Sequence, residues 1–238
     1  MSCLGRVLIK ASVPCDITDK KSLESCVESI QKQHPKGINL LVNNAGVALE
    51  SHTKGQSPEN MGDAKAVHEW LWSGQPDEWQ GTFNINITGQ YFTAVAFLPL
   101  LHAGTANNPG HSASIINITS VSGVVKGSSS GQFAYACSKA ASIHLTRLLA
   151  TTFKDLKVRV NSIAPGLFPS EMTENKPADE AGKSKLEQGQ RGWPAGRAGD
   201  EADIAGTVIW LAGTAGLFVN GHTVYLDGGL TLESPSAA

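Results

Sequence analysis

Five short apolar runs constrain this chain more than any other feature. They span residues 6–13, 38–42, 113–118, 158–163 and 219–226, and all are β-compatible. The run at 38–42 is continuously apolar, the pattern of a strand buried on both faces of a sheet. Helical patterns lie between the runs. Residues 19–34 carry Leu23, Cys26, Val27 and Ile30 at helical spacing, behind Thr18 as a cap and ahead of Gly37. Residues 77–101 read as one long helix with Trp79, Phe83, Ile87 and Tyr91 in its first half. A second long helix spans 131–153, and a third follows Asp200, with Asp203 in its first turn and Ile204, Val208 and Leu211 facing inward. Strands alternating with helices specify an α/β fold.

The chemistry concentrates between Ser120 and Lys139. Tyr135 and Lys139 are four residues apart, so a helix places them on one face, one turn from each other. A free phenol has a pKa of about 10. A nearby ammonium is expected to lower it by roughly 1–3 units. The Ser120 hydroxyl follows the run at 113–118, at the end of a strand, where open α/β sheets place their ligands. Phenol, hydroxyl and ammonium together can move a proton on or off an alcohol or carbonyl oxygen. Ser122 competes with Ser120 for the hydroxyl role, and a Tyr-x-x-x-Lys pair by itself is also an ordinary pattern on an amphipathic helix.

Composition excludes several other chemistries. The net charge is −2, with basic residues interleaved among acids, so neither nucleic acid nor an anionic membrane is expected as a partner. Cys3, Cys15, Cys26 and Cys137 show no Cys-x-x-Cys spacing and the seven histidines no paired ligand spacing, so no disulfide framework or metal site is expected. No signal peptide and no apolar stretch of about 20 residues is found. The expected location is cytoplasmic.

Several motifs stand together in one order. Asn43-Asn44-Ala45-Gly46 comes first, then Asn84-Ile85-Asn86-Ile87-Thr88-Gly89. Asn117-Ile118-Thr119-Ser120-Val121-Ser122-Gly123 and Tyr135-Ala136-Cys137-Ser138-Lys139 follow. Asn161-Ser162-Ile163-Ala164-Pro165-Gly166 and Asp227-Gly228-Gly229 close the series. From about Cys15 to Gly229, the chain resembles the short-chain dehydrogenase/reductase family, in particular its fungal-type, ketoacyl-reductase-like members. The resemblance implies one domain over residues 1–238, a three-layer, doubly wound parallel sheet of Rossmann type. It implies Ser120, Tyr135, Lys139 and Asn86 as catalytic residues, with Asn86 kinking its helix and holding a water beside the lysine. For the cofactor it implies Asp16 near the adenine and Asn44, Ala45 and Gly46 against its body. Tyr135 and Lys139 would lie at the ribose, and Pro165, Gly166, Phe168 and Ser170 around the nicotinamide. It further implies NADP, with NAD possible, a small carbonyl or alcohol substrate, and a homodimer or homotetramer built on the helices at 77–101 and 131–153 through Phe92, Val95, Leu145 and Leu149. An insertion at about 47–77 reads as a surface loop, a pocket wall or a subunit contact, with a short helix entered at Ser57-Pro58. Residues 171–193 read as a lid.

One departure from the family is large. No Gly-x-x-x-Gly-x-Gly or Gly-x-Gly-x-x-Gly stands near the amino terminus, and the run at 6–13 resembles the family's third strand. The expectation is a fold truncated at the N-terminus, with Leu40, Leu41 and Val42 on an open apolar edge and cofactor binding that is weak or absent. Two functional readings follow. The chain is an NAD(P)-dependent oxidoreductase, most simply an NADPH-dependent ketoreductase. Alternatively it is a cofactor-free member serving as a binding or partner subunit, or as a non-redox acid–base isomerase or cyclase.

Overall fold

The computed structural model describes residues 12–51, 57–127, 129–169 and 194–234. The proposed lid, Ser170 and most of the run at 6–13 lie outside the described residues; Ser12 and Val13 are not in a strand.

Helix α1 (Lys20–Gln33) leads into β1 (Leu40–Asn43). Then come α2 (Ala64–Trp72), α3 (Pro76–Phe83), a π-helical turn (Asn84–Gly89) and α4 (Gln90–Ala106). Strand β2 (Ser114–Ile118) is followed by α5 (Phe133–Phe153) and β3 (Arg159–Pro165). Helix α6 (Glu201–Ala212), β4 (Thr223–Leu226) and the short α7 (Leu230–Glu233) complete the described chain. The strands pair in parallel in the order β1-β2-β3-β4, with Leu41 opposite Ile115, Ile115 opposite Val160 and Ile163 opposite Val224.

Side chains alternate across a strand, so each one feeds two cores. On one face, Ile115 and Val160 pack with Cys26 of α1, Phe97 and Leu101 of α4, and Leu149 and Phe153 of α5. On the other, Ile116 and Ile163 pack with Leu211, Ile204 and Val208 of α6. The result is the expected three-layer, Rossmann-like α/β sheet.

Several boundaries differ from expectation. Asp19, not Thr18, caps α1, accepting from the N–H groups of Lys21 and Ser22 at 3.2 Å each. Thr18 is taken by Asp16, whose Oδ1 accepts from both its N–H and its hydroxyl. Helix α2 starts at Asp63, which accepts from Lys65 and Ala66, rather than at Ser57-Pro58. The long helix expected at 77–101 begins at Pro76, passes through the π turn and runs on to Ala106. Leu149, expected on an outward face, is core, and Leu145 packs partly against it. Strand β1 is not buried on both faces. Leu41 joins the first core, but Leu40 and Val42 on the opposite side are each 37% exposed, because α6 packs over β2 and β3.

Candidate active site

Ser120, Tyr135, Lys139 and Asn86 converge at the carboxyl end of β2. Ser120 is held by the turn that leaves the strand. Thr119 donates through both its N–H and its hydroxyl to the Ile163 carbonyl, at 2.8 and 2.9 Å. Ser120 then caps a single 3-10 turn, its Oγ accepting from the Ser122 N–H at 3.1 Å. The competing hydroxyl therefore belongs to the residue that Ser120 caps. Gly123 lets this turn lie on α5, since a Cβ there would stand 2.7 Å from the Ala140 nitrogen.

On α5, Lys139 is 5% exposed and its ammonium donates to the Ile118 carbonyl at 3.0 Å. It also lies 5.6 Å from the centre of the Tyr135 ring. Gly46, after β1, leaves the space this requires. A Cβ at Gly46 would be 3.1 Å from Lys139 Nζ and 3.4 Å from Asn86 Oδ1. Asn86 sits in the π turn, the local distortion expected of it. Its Oδ1 accepts from the Val47 N–H, and its Nδ2 donates to the Val47 carbonyl and to Ser138 Oγ, each at 2.9 Å.

The electrostatics differ from the simple pairing of ammonium and phenol. Burial pushes the Tyr135 phenol above its usual value; a hydrogen bond with Ser120 pulls it down, and the Glu50 carboxylate pushes it up again. Burial also brings the Lys139 ammonium down to about 8. The lysine runs beneath the ring to a backbone carbonyl instead of pairing with the phenol oxygen, so it does not lower the phenol as expected. At neutral pH this arrangement holds a protonated phenol beside a serine hydroxyl, a pair able to donate a proton to an oxygen placed against it.

The remaining expected residues fall into two groups. Asn44, Ala45 and Gly46 follow β1 at the same edge of the sheet, with Asn44 and Ala45 exposed. Pro165 and Gly166 end β3, where the Gly166 N–H donates to the Leu226 carbonyl at 2.9 Å. The Phe168 ring lies close over Gly199. Asp16 stands apart in its own turn, which seats on the π segment through Ile17 against Gly89. Its carboxyl is held below the usual range by the Thr18 hydroxyl and N–H.

Two features of the site carry little or no mark in the sequence. The first is a buried polar lattice in which Asn43 donates to Asn117, Asn117 to Thr146 and Ser142 to Gln90, at 2.9, 2.9 and 2.6 Å. Its sequence signal is Ser138, Ser142 and Thr146, polar residues four apart along the inward face of α5. The second is Glu50, 2% exposed, which accepts from the Tyr135 N–H at 2.8 Å from 85 positions away. Nothing in the local sequence marks it.

The family model described as enoyl-(acyl carrier protein) reductase matches residues 4–231. A short-chain dehydrogenase/reductase, PhomF, of Diaporthe leptostromiformis is 37% identical over 93% of this chain and 74% of its own length. The rhamnolipids biosynthesis 3-oxoacyl-(acyl-carrier-protein) reductase of Pseudomonas aeruginosa is 32% identical over 93% of this chain and 77% of its own. Among solved structures, the Pseudomonas aeruginosa RhlG/NADP active-site complex superposes with a TM-score of 0.74 at 29% identity, over 91% of this chain and 75% of that one. With its serine, tyrosine and lysine gathered at the end of β2 and residues 4–231 matched by the family model, the chain belongs to the short-chain dehydrogenase/reductase family.

Proposed function

We propose that this chain is an NAD(P)-dependent oxidoreductase that reduces a small carbonyl compound to a secondary alcohol, with NADPH preferred. The observation that carries the reading is the convergence of Ser120, Tyr135 and Lys139 at one strand end. Ser120 holds the substrate oxygen. Tyr135 gives that oxygen a proton. Lys139 keeps the proton supply in place, and Asn86 fixes the backbone beside it. When bound, a nicotinamide dinucleotide supplies the hydride that reaches the carbonyl carbon.

The residues present fit the ribose and nicotinamide end of such a group. The space left open at Gly46 beside Lys139 is a cradle that a Cβ would fill. Tyr135 and Lys139 would hold the ribose, and the strand ends at Asn44–Gly46 and Pro165–Phe168 would flank the rest. The preference for NADP and for a ketone leans on the RhlG/NADP complex and on the reductase named for 3-oxoacyl substrates.

Fluorescence titration with NADPH and NADH, followed by assay of NADPH oxidation with a panel of ketones, tests the reading. The expected outcome is weak binding with NADPH ahead of NADH, since no Gly-x-x-x-Gly-x-Gly or Gly-x-Gly-x-x-Gly stands near the amino terminus of this sequence. No binding of either at millimolar concentration overturns the redox reading. That result leaves the same phenol and hydroxyl for non-redox proton transfer.

A further inference from the structure

We propose that Glu50 is the positioning residue for Tyr135: a buried carboxylate, carried on the loop after β1, that seats the first turn of α5 and sets a negative charge beside the phenol. The first turn of α5 has no acid of its own, and Gln132 makes no side-chain cap. Its N–H groups need acceptors all the same. Glu50 Oε1 accepts from the Tyr135 N–H at 2.8 Å, so the residue that moves the proton is tethered through its own backbone. An acid at this end of a helix is also favoured by the helix dipole.

The loop is anchored along its length. Val47 is bonded twice by Asn86, at 2.9 Å in each direction. The Leu49 N–H donates to Thr82 Oγ1 at 3.4 Å, and the Ser51 N–H to Glu78 Oε1 at 3.1 Å. Gly81 admits Leu49 onto α3, for a Cβ there would lie 2.7 Å from Leu49 Cδ1. Glu50 is thus delivered to α5 from two neighbouring elements.

Around Tyr135 stand Lys139 from its own helix, Ser120 from the turn after β2 and Glu50 from the loop; Glu78 of α3 bonds Ser51, the next residue of that loop. Glu50 and burial keep the phenol protonated, against the hydrogen bond from Ser120. Its charge therefore favours proton donation, the direction of carbonyl reduction. The kinetic part of this proposal rests on the oxidoreductase reading; the tether and the charge do not.

The experiment compares wild type, Glu50→Gln and Glu50→Ala, with Tyr135→Phe to identify the Tyr135 signal. Tyrosine labelled with carbon-13 at Cζ reports each of the three phenols separately during a pH titration by NMR. Glu50→Gln keeps an acceptor for the Tyr135 N–H and removes the charge, so the Tyr135 resonance is expected to titrate at lower pH than in wild type. The alkaline limb of any NADPH-linked turnover should move with it. Glu50→Ala also loses the tether and should lower kcat by about tenfold or more with KM little changed. A Tyr135 titration that is the same in wild type and Glu50→Gln overturns the proposal, whether or not the protein turns over. A shifted titration in a protein that oxidises no NADPH upholds the proposal and refutes the oxidoreductase reading instead.

Discussion

The middle of the sheet and its β1 edge are built to different standards. Along β2 and β3 every residue from Ser114 to Asn117 and from Arg159 to Ala164 is buried, because helices cover both faces. Along β1 the burial alternates, with Leu41 packed and Leu40 and Val42 open. Ser120, Tyr135 and Lys139, the groups proposed for proton transfer, sit where the covered middle ends. There Lys139, Thr119 and Asn117 are fastened by bonds to neighbouring elements, and the position of each side chain is overdetermined. Among the described residues, the β1 edge is packed on one face only. The proposed site thus occupies the first kind of region.

Tyr135→Phe should break the covered half most visibly. It removes the proton donor and leaves the ring in place, so kcat should fall by about 10²–10⁴-fold with the fold intact. A variant with near wild-type kcat would refute the role given to the phenol.

The contrast between the two regions is sharpened by one pair of truncations. Ile116→Ala in the covered middle, where the side chain is fully buried, should cost about 2–5 kcal/mol. Val42→Ala on the open face of β1 should cost under about 1 kcal/mol. Urea melts of the two decide the matter, and equal losses would mean that the face of β1 is covered in solution.

Lys139 shows what the chemistry costs the fold. Its folded pKa of about 8 lies below the usual 10.5, so between those values the unfolded chain binds more protons than the folded one. Stability contributed through this group therefore rises with pH across that window, and below pH 8 the folded protein carries the full cost of a buried ammonium. Lys139→Met should be inactive yet more stable at pH 7 by about 2 kcal/mol, after allowing for the lost bond to Ile118. The advantage should fade toward pH 10.5. Melts in which the variant is the weaker protein at pH 7 would count against this account.

The smallest effect is expected at the outer faces of α4 and α5. Tyr91, Val95 and Leu148 are 40%, 38% and 52% exposed there. We expect this pair of helices to join copies of the chain, so that light scattering at micromolar concentration reports a dimer or larger. A monodisperse monomer would remove that expectation.

Much of this could be read from the residues in order. The apolar runs marked β1 to β4 to within a few positions, and the spacing of Tyr135 and Lys139 put them on one helix beside Ser120. Expectation and structure part where residues of equal local merit compete. Thr18 and Asp19 are both good caps, and Asp16 decided between them by binding Thr18. The phenol departs from expectation for another reason. Spacing reveals a lysine one turn away, but not the burial of both groups or the carbonyl that takes the ammonium.

By itself, then, the sequence determined most of the elements, the parallel α/β sheet and the placing of Tyr135 and Lys139 on one helix beside Ser120, because these follow from periodicities of two and 3.6 residues and from side-chain chemistry. Only the tertiary structure decided that Leu40 and Val42 stay open, that Tyr135 is held protonated, and that Glu50 reaches it across 85 positions. Those outcomes depend on desolvation and on contacts between distant segments, and neither is encoded at any one place along the chain.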